Sequence, residues 1–149
     1  MQVEKSSPTW DPAATSSFWI NRASRLLQRI QEGRLRALGF GMSHMPVLHA
    51  LEDGGAMSQK DLAAFARVEQ PTMAELLARM ERDGVVERAP NPNDRRGSLI
   101  SLTRRARLGW PKAKAALLQV EDEVMASFSA EERALLRTLL QRVVDKLQE

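Results

Sequence analysis

At 149 residues, 43% of them hydrophobic, the chain is long enough for one domain with a real core, or for a small module with helical extensions. Its formal net charge of +3 is too small to name a partner by itself. With no cysteine, disulfides, thiolate metal sites and any thiol-based redox switch are excluded.

Residues 1–10 are polar and without periodicity, which predicts a loosely ordered arm. They lack the basic-then-apolar layout of a signal peptide, and no apolar run approaches membrane-spanning length. The cytoplasm is therefore the expected compartment, with no membrane partner. Asp11-Pro12 reads as an N-cap followed by proline at the first helical position. Trp19, Ala23, Leu26, Leu27 and Ile30 then recur at helical spacing, predicting an amphipathic helix to about Gln31. Gly33, Gly39 and Gly41 loosen the segment between this helix and the next. Ser43 is placed to cap a second helix carrying Met45, Leu48 and Leu51, which Gly54-Gly55 stops.

Ser58, with Asp61 three residues on, opens a third helix in which Leu62, Ala63 and Ala66 face inward. Pro71 suits the first residue of a fourth helix capped by Gln70 or Glu69. Met73, Leu76, Leu77 and Met80 form its apolar stripe, and Asp83-Gly84 closes it. Residues 85–88 and 98–102 are β-like runs around a hairpin whose tip reads Asn93-Asp94-Arg95-Arg96-Gly97.

Thr103 caps a long fifth helix. Its apolar positions Ala106, Trp110, Ala113, Leu117, Val120 and Val124 step by fours and threes as a heptad seam. Pro111 is expected to kink or split that helix near its start. Ser129 with Glu132 makes a capping box for the last helix, whose leucines and valines from Leu135 to Leu147 form a wide apolar stripe. That stripe fits an intramolecular core. It also fits a two-fold dimer interface, favoured because the first and last two helices carry more apolar face than one helical layer hides.

The chemistry concentrates between Ser58 and Thr103. Two short helices at a tight angle can present the second to a DNA major groove. With its apolar stripe turned inward, the fourth helix points Gln70, Thr72, Glu75 and Arg79 outward. Gln70 can address an adenine edge and Thr72 a thymine methyl, while Arg79 can reach a base or a phosphate. A solvated helix face explains the same residues, and a solvated charged turn explains the hairpin. However, Arg88, Arg95, Arg96, Arg104, Arg105 and Arg107 crowd that hairpin with only Asp94 opposing them from 88 to 107. The Asp94 carboxylate can stiffen one guanidinium while the other extends from the tip.

Residues 43–107 resemble the winged helix-turn-helix of the MarR family of bacterial transcription regulators. The resemblance is carried by Val68-Glu69-Gln70-Pro71-Thr72, by Leu77-Ala78-Arg79-Met80-Glu81-Arg82-Asp83-Gly84-Val85-Val86, by Asp94-Arg95-Arg96, and by Ile100-Ser101-Leu102-Thr103. The Glu-Gln-Pro-Thr start is most similar to the SlyA-like branch. The fold class implied is mainly α with a small β-hairpin wing. Residues 11–42 and 108–149 would be dimerisation segments around a reading module at 43–107.

The resemblance further implies a homodimer, acting as a repressor, on a pseudo-palindromic operator in double-stranded DNA. Its recognition helices would enter major grooves ~34–36 Å apart. Gln70, Pro71, Thr72 and Arg79 map onto the recognition helix, and Arg95 and Arg96 onto the wing tip. Members often carry a basic residue where Glu75 stands, which leaves the operator sequence open.

A small aromatic or anionic effector is also implied, in a pocket drawing on Trp19, Arg22, Phe40, His44, Met45 and His49. Trp19 and Phe40 could pack on a ring, and Arg22 or His44 could pair with a carboxylate. Trp19 equally suits a core or dimer-interface aromatic. His44 and His49 lie five apart, off the i, i+4 face a helical metal pair needs, so no metal is expected. No cofactor and no catalysis are expected, because no nucleophile triad order or phosphate-cradling loop appears. The remaining alternative is a winged helix that docks an acidic protein partner.

Overall fold

A computed structural model of the chain describes residues 10–149, leaving the expected arm outside the described residues except for Trp10. Asp11 and Pro12 do not open the first long helix. They form a separate 3-10 turn, Pro12–Ala14, in which the Asp11 carboxylate accepts the Ala13 N–H at 3.0 Å. Thr15 is extended and breaks the helical path, and its hydroxyl accepts the Phe18 N–H to cap α1, Ser16–Arg36. That helix also runs through Gly33 rather than ending near Gln31. Burial of Leu35 and an Arg34–Glu123 ion pair of 2.8 Å hold its last turns, offsetting the ~1 kcal/mol that a mid-helix glycine costs.

Ser43 is likewise not a cap. It lies inside a 3-10 turn, Met42–His44, that leads into α2, Met45–Leu51. The His44 Nδ1 accepts the Gly41 N–H at 3.0 Å and Glu32 accepts the Met42 N–H at 2.8 Å, so two side chains satisfy the turn's amides. Beyond α2, Glu52 gathers Lys114 at 2.9 Å, Trp110 Nε1 at 3.0 Å and His49 at 3.1 Å. The Lys114 hydrogen bond, then that of Trp110, holds the Glu52 carboxyl down at about 2.

A strand too short to show alternation comes next: β1, Met57–Ser58, pairs antiparallel with β3 through Met57↔Ile100 and Ser58↔Leu99. The Ser58 hydroxyl then accepts the Asp61 N–H at 3.1 Å and starts α3, Gln59–Ala66. The helix α4, Gln70–Arg82, begins after a short turn, with Pro71 in its first turn and Glu69 at its N-cap. Gly84, at φ +71, ends it as the Val85 N–H returns to the Met80 carbonyl at 2.8 Å.

Both hairpin strands are longer than their apolar runs. β2 is Val86–Asn91 and β3 is Asp94–Leu102, giving a sheet of order β1-β3-β2. Thr103 joins the sheet to α5, Arg104–Val124: its hydroxyl accepts the Ala106 N–H at 3.2 Å and donates to the Gly84 carbonyl at 2.7 Å. Pro111 does not split α5, which is continuous through it. Burial of Trp110 and Ala113 on either side offsets the one hydrogen bond proline removes.

One hydrophobic core joins Leu35 and Phe40, the α2–α4 helices, the sheet through Ile100 and Leu102, and α5 through Ala106 and Trp110. The final helix, α6, Ala130–Leu147, is capped by Ser129 as expected but buries none of its residues. Leu135 is 58% exposed and Leu147 81%, so its apolar stripe is left uncovered by the described residues. On α1, Trp19 at 55% and Leu26 at 50% are similarly bare.

Candidate nucleic-acid interface

The helix α4 sits on the core through Met73, Leu77 and Met80, and this fixes its rotation. Gln70, Pro71, Thr72, Glu75 and Arg79 are consequently all exposed, along one helix of about four turns. The turn before it is tight: the Val68 N–H reaches back to the Ala63 carbonyl at 3.0 Å. Arg67 makes that turn in the left-handed region at φ 55, a conformation that favours glycine. Sequence periodicity gives no sign of it, because an arginine there reads as one more polar residue.

In the wing the tip is Pro92-Asn93, not the longer run centred on the arginines. Asn91 and Asp94 face each other across the tip, while the next pair is Pro90↔Ser98, so Arg95, Arg96 and Gly97 bulge from β3 without partners in β2. Asp94 does not stiffen a guanidinium. Its Oδ1 accepts the Arg96 backbone N–H at 3.0 Å, and among the described residues neither Arg95 nor Arg96 has a carboxylate partner. A carboxylate two residues back reaches a local N–H with less side-chain ordering than a flexible guanidinium requires.

The other arginines of the cluster are largely committed to the fold. Arg88 donates from Nε to Glu81 at 2.6 Å, and Arg107 donates to the Leu102 carbonyl at 2.7 Å. Arg105 donates to the carbonyls of Gly39 and Asp83. The basic run in the sequence thus resolves into the wing arginines Arg95 and Arg96, the structural arginines Arg88, Arg105 and Arg107, and Arg104, exposed at the start of α5.

Gln70 of α4, Asp94 and Arg96 of β3, and Ser58 and Lys60 at the start of α3 line one cleft between helices and wing. Ser58 and Lys60 were not among the expected contacts; their only sequence signal is a helix start. Arg79 lies elsewhere, on a groove shared with Phe40, His44, Asp83 and Arg105.

The six residues expected around an effector divide. Phe40 and His44 line that same groove. Trp19 is exposed on α1 with its Nε1 donating to the Ala13 carbonyl at 2.8 Å, and Arg22 is exposed on the same helix. Met45 packs against the core, and His49 is exposed beside Glu52 and Phe65. Burial pushes the His44 imidazole pKa down; Asp83 and Glu32 oppose the shift, while Arg79 and Arg105 add to it. Among the described residues no cluster of His, Asp or Glu could hold a metal ion, and no helix is long and apolar enough to cross a membrane.

A family model for the MarR family matches residues 41–98, which span α2, α3, α4 and most of the wing. The HTH-type transcriptional regulator YwoH of Bacillus subtilis is 31% identical over 127 residues, covering 83% of this chain and 92% of that protein. The chain belongs to the MarR family. This assignment reaches the family and not a branch within it.

A second relative, the homoprotocatechuate degradative operon repressor of Escherichia coli, is 32% identical over 98 residues, 66% of either chain. The apo form of wild-type MarR from E. coli superposes with a TM-score of 0.68 at 25% identity, covering 87% of this chain and 96% of that one. A MarR mutant crystallised with operator DNA has the same fold, with a TM-score of 0.76 at 24% identity over 92% of this chain and 99% of that one.

Proposed function

We propose that the chain is a sequence-specific DNA-binding transcription regulator, a repressor, acting as a homodimer on a pseudo-palindromic operator. The observation that carries this reading is the shared cleft of Gln70 and Arg96. It sets the first turn of a helix that fits a major groove beside a wing guanidinium with no carboxylate partner among the described residues. In this reading Gln70 and Thr72 address base edges, with Pro71 fixing the helix start. Glu75 selects against bases that offer no donor, and Arg79 lies furthest along the helix. Arg95 and Arg96 reach phosphate or the adjoining minor groove, and Asp94 braces them through the backbone.

Residues 43–107 form the reading module, with 11–42 and 108–149 pairing two chains. The bare stripes of α1 and α6 support that division, because a two-fold interface covers both at once. A small aromatic or anionic effector would act at the groove of Phe40 and His44, between α1 and α4. Such a regulator works in the cytoplasm, where its operator is.

Footprinting of genomic DNA with the purified protein tests the reading. The expected result is protection of two half-sites about one helical turn apart by a dimer. A monomer that ignores every duplex, or that captures an acidic protein in preference to DNA, would overturn it.

A further inference from the structure

The helices α1 and α4 end within reach of a single guanidinium. Both close on a glycine in the left-handed region, Gly39 at φ +80 after α1 and Gly84 at φ +71 after α4. From the first turn of α5, Arg105 Nη2 donates to the Gly39 carbonyl at 3.4 Å and to the Asp83 carbonyl at 3.0 Å. Its guanidinium carbon lies 5.5 Å from the centroid of the Phe40 ring. A Cβ on Gly39 would stand 2.6 Å from Nη1, so a glycine is what leaves room for the guanidinium. The last carbonyls of a helix lack intrahelical donors and carry partial negative charge. Both bonds leave the one Nη2 nitrogen, one to the Asp83 carbonyl at the C-cap of α4 and one to the Gly39 carbonyl in the turn three residues beyond α1.

We infer that Arg105 is a positioning residue for DNA recognition: it latches the C-terminal end of α4 to the turn that closes α1 and so sets the tilt of α4 against the helix that pairs two chains. The consequence for DNA rests on the proposed dimeric regulator; the latch does not. Geometry supplies the leverage. The 13 residues of α4 make a rod of about 20 Å. A pivot of ~10° at its latched end carries the Gln70 end by ~3.5 Å, the rise of about one base pair. A two-fold dimer would double that error between half-sites. Arg105 is exposed, so its removal opens no core cavity.

The absence of cysteine allows two spin labels to be placed without background, as Ser24→Cys on α1 and Ala78→Cys on the exposed side of α4. Dilution with unlabelled chains confines each measured distance to one protomer. The parent should give a narrow distribution, and Arg105→Ala a broad one while still melting in a single cooperative transition. Arg105→Lys, which keeps the charge on a shorter, differently shaped head, should fall between them. On operators whose half-sites are moved one base pair apart or together, the parent should lose about tenfold in affinity. Arg105→Ala should lose much of that discrimination.

A folded Arg105→Ala with the parental distribution, or one that weakens equally at every spacing, overturns the inference. If Arg105→Ala does not fold, Arg105→Lys decides by the same two readouts. Should the parent bind no duplex, the DNA reading fails while the distance measurement still judges the latch.

Discussion

The Asp94 carboxylate accepts the backbone N–H of Arg96 at 3.0 Å, bracing the bulged strand and leaving the Arg96 guanidinium open toward the cleft it shares with Gln70. Removing the guanidinium and removing the brace are therefore separable. Arg96→Ala should weaken operator binding by about 1–3 kcal/mol through a lost base-edge contact. Asp94→Asn, which keeps an acceptor for the amide, should cost much less. Fluorescence anisotropy at one fixed salt concentration measures both. Parental affinity in Arg96→Ala would remove the wing from the account.

The open guanidinia also predict how binding responds to ions. Each phosphate neutralised releases condensed counterions, so the logarithm of affinity should fall linearly and steeply with that of salt. Arg95→Ala should reduce the slope by ~1 if Arg95 holds one phosphate, and by the same amount on every sequence. A slope that is flat in the parent, or equal in the variant, assigns the bulge another task.

Arg67 is a conformational liability that the helix-turn-helix carries. An L-residue in the left-handed region costs roughly 1–2 kcal/mol, part of which glycine returns through its larger unfolded-state entropy. Arg67→Gly should accordingly raise stability by about 0.5–1 kcal/mol in urea denaturation. Arg67→Ala keeps the strain and should gain nothing. A destabilised Arg67→Gly would show that contacts of the arginine side chain outweigh the backbone strain.

His44 gives the fold a pH dependence whose sign is fixed by burial. Its pKa is lowered in the folded chain, so the unfolded chain takes up the proton first. Its contribution is complete above the ordinary value of 6.5 and is lost as pH falls through it. Protonation of Nδ1 would also end its acceptance of the Gly41 N–H. Urea midpoints should thus drop between pH 8 and pH 5.5. His44→Asn, which can accept that amide without titrating, should flatten this interval. Identical pH profiles in parent and variant would place the lost stability elsewhere.

Helices with apolar stripes and hydroxyl caps were legible in the sequence: Ser58, Thr103 and Ser129 each cap where their spacing suggested. The features that escaped depend on partners distant along the chain. The β1 pairing exists only because β3 supplies a neighbour for Met57 and Ser58. The extra turn of α1 is held by Glu123 from α5, and Pro111 is tolerated because its neighbours are buried. The candidate site divides the same way. The exposed face of α4 comes directly from its stripe. The commitment of Arg88 to Glu81, and of Arg105 to two helix ends, is invisible until those elements meet.

The apolar stripe of α6 yields the sharpest test of assembly. Leu139, Leu140, Val143 and Val144 lie within two turns of a helix that the described residues leave without a buried side chain, an apolar patch of the kind that marks an interface. Placing a charge there, as in Leu139→Arg, leaves the core from Leu35 to Ala113 untouched, so each chain should keep its secondary structure. Across a two-fold axis, however, each substitution enters the interface twice, and an unpaired buried charge costs several kcal/mol. Sedimentation equilibrium should find a dimer in the parent and a monomer in the variant. Operator affinity should collapse with it, because one half-site alone forfeits the second wing and helix. A Leu139→Arg chain that remains dimeric would move the interface off α6.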